Sequence, residues 1–363
     1  MTRAHNFYAG PSAIPTEVLQ EASEQMLDYK GTGTSIMETS HRSSEFDEVH
    51  NEAITLVKEL MGLGDDYEVL LLQGGASTQF ALIPMNFLPA GGSADYISTG
   101  TWSKKAIKEA KLFGKVNVAA NVEMEGGVFK TIPAQADLKL DPKAAYCHIT
   151  SNNTIYGTQW AKFPETAGVP LIADMSSDIM SRVFDPKPFG LIYAGAQKNL
   201  GPSGLALVII RKDMVGKINP GLPTMFNYKT HVDNNSLFNT PPSFGIYMMG
   251  KVLKWVKKNG GVAGIEAINN TKTTMLYNAI DNSNGFYTNT IAKSDRSRMN
   301  IVFNLGTPEL EAEFIKAAKA ENMLGLKGHR SIGGVRASIY NAVSKDSVEA
   351  LCNLMKDFAA KKG

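Results

Sequence analysis

The chain has 363 residues, of which 43% are hydrophobic and 20% are charged, a composition typical of a globular protein of about two domains. Its 37 basic and 35 acidic side chains nearly cancel, so the net charge of +2 favours neither nucleic acid nor an anionic membrane as a partner. The longest apolar run spans only residues 205–210, no signal-peptide pattern follows Met1, and two cysteines are too few for a disulfide framework or a Cys-x-x-Cys metal site. We therefore expect a cytoplasmic enzyme without a metal, in which any anion site is local.

The first predicted element is an extended arm over residues 1–15. An amphipathic helix is predicted from Thr16 to about Tyr29, and a longer one from Ser43 or Ser44 to Gly62. Short apolar strands that alternate with helices are then predicted near residues 69–72, 95–98, 116–119, 146–149, 170–173, 191–194 and 205–210. Such strands are buried on both faces, so the pattern predicts an α/β fold with a mostly parallel sheet.

The pattern changes after a loop-rich stretch over residues 220–242. Long helices are predicted over residues 244–257 and 262–280, and strands and helices then alternate to the end of the chain, at 299–304, 308–321, 334–340 and 345–361. We therefore predict three parts, which are an N-terminal arm (1–15), a large domain (16–258) and a small C-terminal α+β domain (259–363).

Two glycines separate the first strand of the predicted sheet from its helix, in the segment Gln73-Gly74-Gly75-Ala76-Ser77. Glycine lets the backbone approach an anion closely, and the N–H groups at a helix start point outward with the helix dipole behind them. The segment therefore indicates a phosphate site, although a tight strand-to-helix turn with an ordinary cap has the same pattern. It is not a nucleotide-binding P-loop, because the lysine of that motif is absent.

A carboxylate and a lysine follow two other predicted strands. Asp174 ends the strand near 170–173, where α/β folds bind ligands, although helix capping is the commoner role of such a residue. Lys198 follows the strand near 191–194 among small residues, without another charge nearby in sequence. Most lysines are solvated surface groups, but a partly desolvated amine has a lowered pKa and attacks carbonyl groups.

Together these features match the needs of pyridoxal phosphate (PLP). Its phosphate must be anchored, its pyridine nitrogen kept protonated and its aldehyde held by an amine. Trp102, just after the strand end at Ser98, offers a flat surface for the ring, and a position in the core explains this tryptophan equally well. The pattern therefore predicts a PLP-dependent enzyme.

Six segments, in order along the chain, resemble the phosphoserine aminotransferases, a group of class-V aminotransferases among the fold-type I PLP enzymes. The segments are Asn6–Ser12, His41–Ser43, Gln73–Ser77, Gly100–Ser103, Gln197–Asn199 and Gly328–Ser338. The resemblance implies an aspartate-aminotransferase-like large domain, a smaller C-terminal domain and a homodimer with shared active sites.

The resemblance also implies a role for each matching residue toward the cofactor. Lys198 would hold the cofactor aldehyde and later move the substrate proton, Asp174 would pair with the pyridine nitrogen, and Trp102 would stack on the ring. The remaining cofactor-binding residues would be Ala76, Ser77 and Gln197 at the phosphate, Thr154 near the ring oxygen, and Asn239 and Thr240 from the neighbouring subunit.

Substrate binding is implied for five basic residues, which are His41, Arg42, His329, Arg330 and Arg336. Arg336 would bind the α-carboxylate, and the other four would bind the substrate phosphate or the side-chain carboxylate of glutamate, which suits the planar fork of arginine. Arg330 is expected to serve the lysine of the partner subunit. Taken alone, a surface pair before a helix and a solvated hairpin explain the same residues. Some family members carry an arginine where this chain has Ser77, so the phosphate pocket here has one cation fewer than theirs.

The implied reaction moves an amino group from L-glutamate to 3-phosphohydroxypyruvate, which yields O-phospho-L-serine and 2-oxoglutarate in serine biosynthesis. One pocket would accept two acidic side chains, which explains a local cluster of cations in a chain of nearly neutral charge. The phosphorylated hydroxythreonine precursor of pyridoxine, 4-phosphohydroxy-L-threonine, is a second expected substrate.

Three other interpretations compete with this one. A cysteine desulfurase shares the fold but needs a reactive cysteine on a mobile loop, whereas Cys147 and Cys352 are predicted in a strand and a helix. A regulator that keeps the fold without catalysis would usually carry a partner-binding module, and we expect no spare segment for one. A Rossmann dehydrogenase would need a Gly-x-Gly-x-x-Gly turn after the first strand, which is absent.

Overall fold

The computed structural model describes residues 3–363. Its helices are α1 (Thr16–Glu24), α2 (Ser44–Met61), α3 (Ala76–Phe87), α4 (Thr101–Ala110), α5 (Lys212–Val215), α6 (Tyr228–Asp233), α7 (Ser243–Lys258), α8 (Gly261–Asp281), α9 (Pro308–Ala320) and α10 (Lys345–Lys362). Its strands are β1 (His5–Asn6), β2 (Tyr67–Gln73), β3 (Ser93–Ser98), β4 (Lys115–Asn121), β5 (Glu123–Met124), β6 (Val128–Phe129), β7 (Cys147–Thr150), β8 (Asn152–Asn153), β9 (Thr158–Gln159), β10 (Leu171–Asp174), β11 (Phe189–Gly195), β12 (Leu205–Arg211), β13 (Asn300–Phe303), β14 (Met323–Leu324) and β15 (Val335–Ser338).

Seven strands form the central sheet, in the order β2-β12-β11-β10-β7-β3-β4. Only β12 runs antiparallel to its neighbours, and the other pairs are parallel. Alternate residues of one strand enter different cores, since Val69 and Leu71 pack on one face of the sheet and Leu70 and Leu72 on the other. The predicted α/β fold with a mostly parallel sheet is therefore confirmed, and its strands are apolar because both faces are covered.

Parallel pairing brings the carboxyl ends of β3, β7, β10 and β11 to one edge of the sheet. The register sets Asp174, the last residue of β10, beside Thr150 at the end of β7 and beside Tyr193 in β11. Side chains that follow these strands therefore meet at this edge, although they lie far apart in sequence.

A separate hydrophobic core lies among α9, α10 and the antiparallel pair β13–β15. Helix α8 belongs to both cores, because Ile265 near its start packs in the core of the sheet and Leu276 near its end packs in the C-terminal core. The arm joins the C-terminal core as well, since β1 pairs with β14 and Phe7 is fully buried there. The predicted division at 15 and 258 stays a prediction.

Most predicted helix and strand positions agree with the structure, and one prediction is wrong. Helix α1 ends at Glu24 rather than near Tyr29, because the backbone N–H of Tyr29 closes a turn onto the carbonyl of Thr34 at 2.9 Å and its buried ring packs edge-on against Tyr247. The stretch 220–242 is loop-rich as predicted, and it also contains the short helix α6, which is capped by the Asn227 side chain.

Two absences within residues 3–363 concern membranes and metals. No helix in this range is long and apolar enough to cross a membrane. The same range holds no group of three or more His, Cys, Asp or Glu side chains arranged to bind a metal ion.

Candidate active site

A cavity of about 470 Å³ opens at the carboxyl edge of the sheet. The arm contributes Ala9 and Gly10 to its wall, and the C-terminal part contributes His329 and Arg336. Nine of the predicted site residues line the cavity, which are Ala76, Ser77, Trp102, Thr154, Asp174, Gln197, Lys198, His329 and Arg336. The fold therefore gathers residues from all three predicted parts of the chain at one place.

The glycine-rich turn forms one wall of the cavity and leads directly into α3. Gly74 has a φ of +97°, and a Cβ there would lie 2.7 Å from the hydroxyl oxygen of Thr78, so another residue would be strained. No side chain caps the N-terminus of α3, where Ala76 and Ser77 face the cavity. Uncapped N–H groups at a helix start, with the helix dipole behind them, can bind a phosphate.

Asp174 presents a carboxylate to the cavity from the end of β10 and is only 5% exposed. One oxygen, Oδ1, accepts hydrogen bonds from the backbone N–H and the hydroxyl of Ser176, at 2.9 and 2.6 Å. The other, Oδ2, has no hydrogen-bond partner within residues 3–363. Burial raises the pKa of Asp174, although the hydrogen bonds from Ser176 and the charge of Lys198 oppose this rise. A cationic N–H donor bound in the cavity would complete the coordination of this carboxylate.

Lys198 follows β11 and makes no hydrogen bond through its amine to any described residue. Burial lowers the pKa of Lys198 to about 8, with the carboxylate of Asp174 opposing the change and the guanidinium of Arg336 adding to it. An amine of this kind has a large neutral fraction near pH 7–8, and the neutral form attacks carbonyl groups.

The N-terminal arm holds the backbone of Lys198 in place. Ser12 donates its N–H to the carbonyl of Gln197 and its hydroxyl to the carbonyl of Lys198, at 3.0 and 2.6 Å. Gly10 packs on the lysine side chain, since a Cβ at Gly10 would lie 3.4 Å from Cγ of Lys198. The arm is therefore part of the site.

Thr154 connects an aromatic ring to a guanidinium. Its hydroxyl accepts a hydrogen bond from the indole N–H of Trp102 at 3.0 Å, and its carbonyl accepts one from Nη1 of Arg336 at 3.1 Å. The amine of Lys198 lies 5.9 Å from the centre of the Trp102 ring. A flat ligand bound beside the indole and Asp174 would thus lie near the amine of Lys198 and the guanidinium of Arg336.

Arg336 makes the wall beside Thr154 positive, and His329 adds an imidazole to the same wall. Arg336 forms no ion pair within residues 3–363, and its buried Nε has no hydrogen-bond partner there. Burial lowers the pKa of Arg336, and burial followed by the charges of Arg336 and Arg330 lowers the pKa of His329. A buried guanidinium without a carboxylate partner is unfavourable unless an anion binds, so this wall suits a carboxylate ligand.

The geometry agrees with what the comparisons with known proteins find. The family model "Aminotransferase class-V" matches residues 4–351. The chain belongs to the class-V aminotransferase family. This aminotransferase is 57% identical to the phosphoserine aminotransferase of Lysinibacillus sphaericus (strain C3-41), over 359 residues that cover 99% of each chain.

Solved structures agree with the family assignment. The phosphoserine aminotransferase of Bacillus circulans subsp. alkalophilus superposes with a TM-score of 0.97, at 54% identity and 99% coverage of both chains. PLP-bound phosphoserine aminotransferase from Trichomonas vaginalis gives a TM-score of 0.92, at 39% identity and with 98% of this chain and 100% of that chain covered.

The residues of this aminotransferase fit PLP on the observations above. The uncapped start of α3 suits the phosphate, the unpaired oxygen of Asp174 suits a protonated pyridine nitrogen, and the amine of Lys198 suits the aldehyde. Ser176 was not predicted as a site residue, although its two hydrogen bonds hold the carboxylate in place.

Five predicted site residues do not line the cavity of the aminotransferase chain, which are His41, Arg42, Asn239, Thr240 and Arg330. Arg42 is exposed in the turn before α2, and the carbonyl of Thr240 accepts a hydrogen bond from Gln73 at 3.1 Å. Arg330 is different, because its charge acts on the imidazole of His329, which lines the cavity of its own chain. The expectation that Arg330 serves the partner's lysine stays a prediction, because the structure contains one chain.

The structure disfavours the desulfurase interpretation. Cys147 is buried in β7, and burial raises the pKa of its thiol; burial also raises the pKa of Cys352, in α10, to about 11. Neither cysteine lines the candidate site. A larger cavity of about 860 Å³ lies beside Cys352, between the end of α8 and α10, and its wall is mostly amide and apolar side chains.

Sequence reasoning gave no role to Gly10 or Ser12, although both fall in a segment that resembles the family. Their glycine-proline-serine pattern signals a special backbone conformation, but nothing in it predicts contact with a lysine 186 positions away.

Proposed function

We propose that this chain is a PLP-dependent transaminase that moves the amino group of L-glutamate to 3-phosphohydroxypyruvate, giving O-phospho-L-serine and 2-oxoglutarate in serine biosynthesis. The observation that carries the proposal is one cavity that holds Lys198, Asp174 and an unpaired Arg336. The full-length similarity to phosphoserine aminotransferases supports the choice of substrates.

When bound, PLP supplies an aldehyde that condenses with amino groups and a ring that accepts electron density. The unpaired oxygen of Asp174 keeps a proton on the pyridine nitrogen, where positive charge favours that acceptance. Trp102 limits movement of the ring on one side, and Ala76, Ser77 and Gln197 hold the phosphate.

The substrate amino acid is held by its α-carboxylate on Arg336, a contact that supplies the anion this guanidinium lacks. The neutral amine of Lys198 would accept the proton from the α-carbon of the substrate. Its lowered pKa suits this exchange, since a base with a pKa near the working pH both takes up and returns a proton.

We propose further that the active protein is a homodimer with shared sites. His41, Arg42, Asn239 and Thr240 lie outside the cavity of their own chain and would complete the site of the partner subunit. Phe238, beside this group, is 46% exposed in the single chain, and Met37 is 51% exposed. Apolar side chains exposed next to candidate ligands are expected where a second copy packs.

We propose two extensions of this function, a second substrate and a cytoplasmic location. A pocket that accepts O-phospho-L-serine also suits 4-phosphohydroxy-L-threonine, whose chain is longer by one carbon that carries a hydroxyl group, so this amino acid is proposed as a second substrate. The two cysteines, unpaired in the described chain, are consistent with work in the cytoplasm.

The proposal is tested on the purified protein with PLP bound. The cofactor's visible absorbance should be lost on addition of glutamate or phosphoserine and restored by 2-oxoglutarate, whereas alanine should act slowly. Borohydride should fix the cofactor to Lys198, and Lys198→Ala should still bind PLP without being fixed. Faster turnover of alanine than of phosphoserine, or labelling of another lysine, would contradict the proposal.

A further inference from the structure

A positive side chain that the proposed mechanism does not use lies against Trp102, outside the lining of the cavity. Lys105 is in the first half of α4, three residues after Trp102, so both side chains project from the same side of the helix. Its ammonium nitrogen lies 4.5 Å from the centre of the Trp102 ring. Trp102 itself lines the cavity, so the ammonium contacts a residue that forms part of the proposed cofactor site.

Lys105 has no acidic partner within residues 3–363. Its neighbour Lys104 forms an ion pair with Glu123 at 2.7 Å, as an ordinary surface lysine does. Lys105 instead lies over an aromatic face, which attracts cations but leaves all three N–H donors of the ammonium available.

The charge of Lys105 belongs to the cationic wall of the site. Together with Arg336 and Arg330, it lowers the pKa of His329, so its ammonium is close enough to act on that imidazole. Neither Arg330 nor Arg336 forms an ion pair within the described residues. Four cationic or titratable basic groups thus converge from α4 and from the segment 329–336 without a carboxylate among them.

Like charges in such a group repel one another, and an anion bound between them would relieve this repulsion. The α-carboxylate of a substrate accounts for Arg336 alone. Ser77, which also lines the cavity, is neutral and adds no charge for a second anionic group.

We propose that Lys105 is a substrate-binding residue that contacts the side-chain phosphate and favours it over a carboxylate. The inference rests on the proposed function and adds to it the group that distinguishes the two acidic substrates. A phosphate monoester carries close to two negative charges near pH 7, whereas the side chain of glutamate carries one. The compact charge of an ammonium on a flexible stem therefore gains more from the phosphate than from the carboxylate.

The test compares the two half-reactions of the PLP-loaded enzyme, with phosphoserine and with glutamate as amino donors. Lys105→Ala should lower kcat/KM for phosphoserine about tenfold, which corresponds to ~1.4 kcal/mol. The same change should lower kcat/KM for glutamate less than about threefold, because the glutamate carboxylate carries one negative charge fewer than the phosphate. Lys105→Arg should keep most of the preference for phosphoserine.

A matched control is Lys108→Ala, which removes another exposed lysine one turn farther along α4 and should leave both half-reactions unchanged. Inorganic phosphate provides a second readout, since its inhibition of the glutamate half-reaction should weaken in Lys105→Ala. Equal losses with both donors would overturn the proposal and assign Lys105 to holding Trp102. No loss with either donor would also overturn it. A wild-type enzyme that does not use phosphoserine would reject the proposed function instead, and the phosphate inhibition would still decide whether Lys105 binds phosphate.

Discussion

Ser12 donates its hydroxyl to the backbone carbonyl of Lys198, with an oxygen–oxygen distance of 2.6 Å. This bond ties the start of the chain to the residue that carries the proposed chemistry. The arm also pairs with β14 through His5 and Asn6, so it contacts both the C-terminal part of the chain and the segment that carries Lys198. The position of the amine depends on the arm as well as on the sheet.

The first prediction concerns this contact. Ser12→Ala should lower the free energy of unfolding by about 0.5–1.5 kcal/mol, because the carbonyl of Lys198 loses a partly buried donor. The rate of the glutamate half-reaction should fall about 2- to 10-fold, since the lysine is less well positioned. Ser23→Ala, at an exposed position of α1, is the control and should change neither quantity. Wild-type rates in Ser12→Ala would show that the sheet alone positions the amine.

The second prediction follows from the pKa of Lys198. Only the neutral amine attacks the cofactor aldehyde, so the rate at which the cofactor-free protein captures PLP should rise with pH. The midpoint of this rise should lie near pH 8, well below the value of 10.5 for an ordinary lysine. Stopped-flow absorbance at a series of pH values measures it.

The charge of Asp174 gives this pH profile an internal control. Its carboxylate stabilises the ammonium form of Lys198 and so raises the pKa of the amine. Asp174→Asn should therefore move the midpoint of PLP capture to lower pH. A midpoint near 10 in the wild type, or a move to higher pH in the variant, would contradict the assigned burial and charges.

The third prediction concerns the carboxylate itself. Asp174→Ala removes a charge-assisted hydrogen bond of ~1.5–3 kcal/mol from a buried site, so each half-reaction should slow roughly 10- to 150-fold. Oδ1 of Asp174 accepts from the hydroxyl and from the backbone N–H of Ser176. Ser176→Ala removes only the hydroxyl and should have a smaller effect. Single-turnover rates with glutamate and phosphoserine measure both variants. Unchanged rates in Asp174→Ala would show that its carboxylate has no role at the pyridine nitrogen.

The fourth prediction tests which basic residues of one subunit act in the active site of the other subunit of the proposed dimer. Lys198→Ala is refolded together with Arg42→Ala, each variant being nearly inactive alone. If Arg42 serves the partner subunit, a mixed dimer has one intact site, and random pairing leaves about a quarter of all sites intact. Steady-state activity of the mixture measures this recovery.

The matching experiment replaces Arg42→Ala with Arg330→Ala. If Arg330 serves the partner's lysine, as the resemblance implies, about a quarter of all sites in this second mixture should again be intact. If no activity returns, every site keeps one defect, and Arg330 acts in its own chain, beside His329. Failure of the Arg42 mixture, with mixed dimers shown to form, would reject the shared site.

Local patterns in the sequence were sufficient for the strands and for the residues that follow them. The alternation of apolar strands with helices requires a sheet covered on both faces, and in parallel strands the carboxyl ends meet at one edge. Asp174 and Lys198 could therefore be placed together from the sequence. The helix cap at Ser43 and the left-handed Gly62 likewise fixed both ends of α2, since capping is a local interaction.

Contacts between distant segments were decided only by the tertiary structure. The carbonyl of Thr154 holds Arg336 across 182 positions, and Ser12 holds Lys198 across 186. The end of α1 also depended on such a contact, because the ring of Tyr29 packs on Tyr247. Lys105 resembled any surface lysine in the sequence, and only the fold shows that the Trp102 ring beneath it lines the cavity. Periodicity and capping act over a few residues, whereas these contacts depend on how the packed elements bring remote backbone and side-chain groups together.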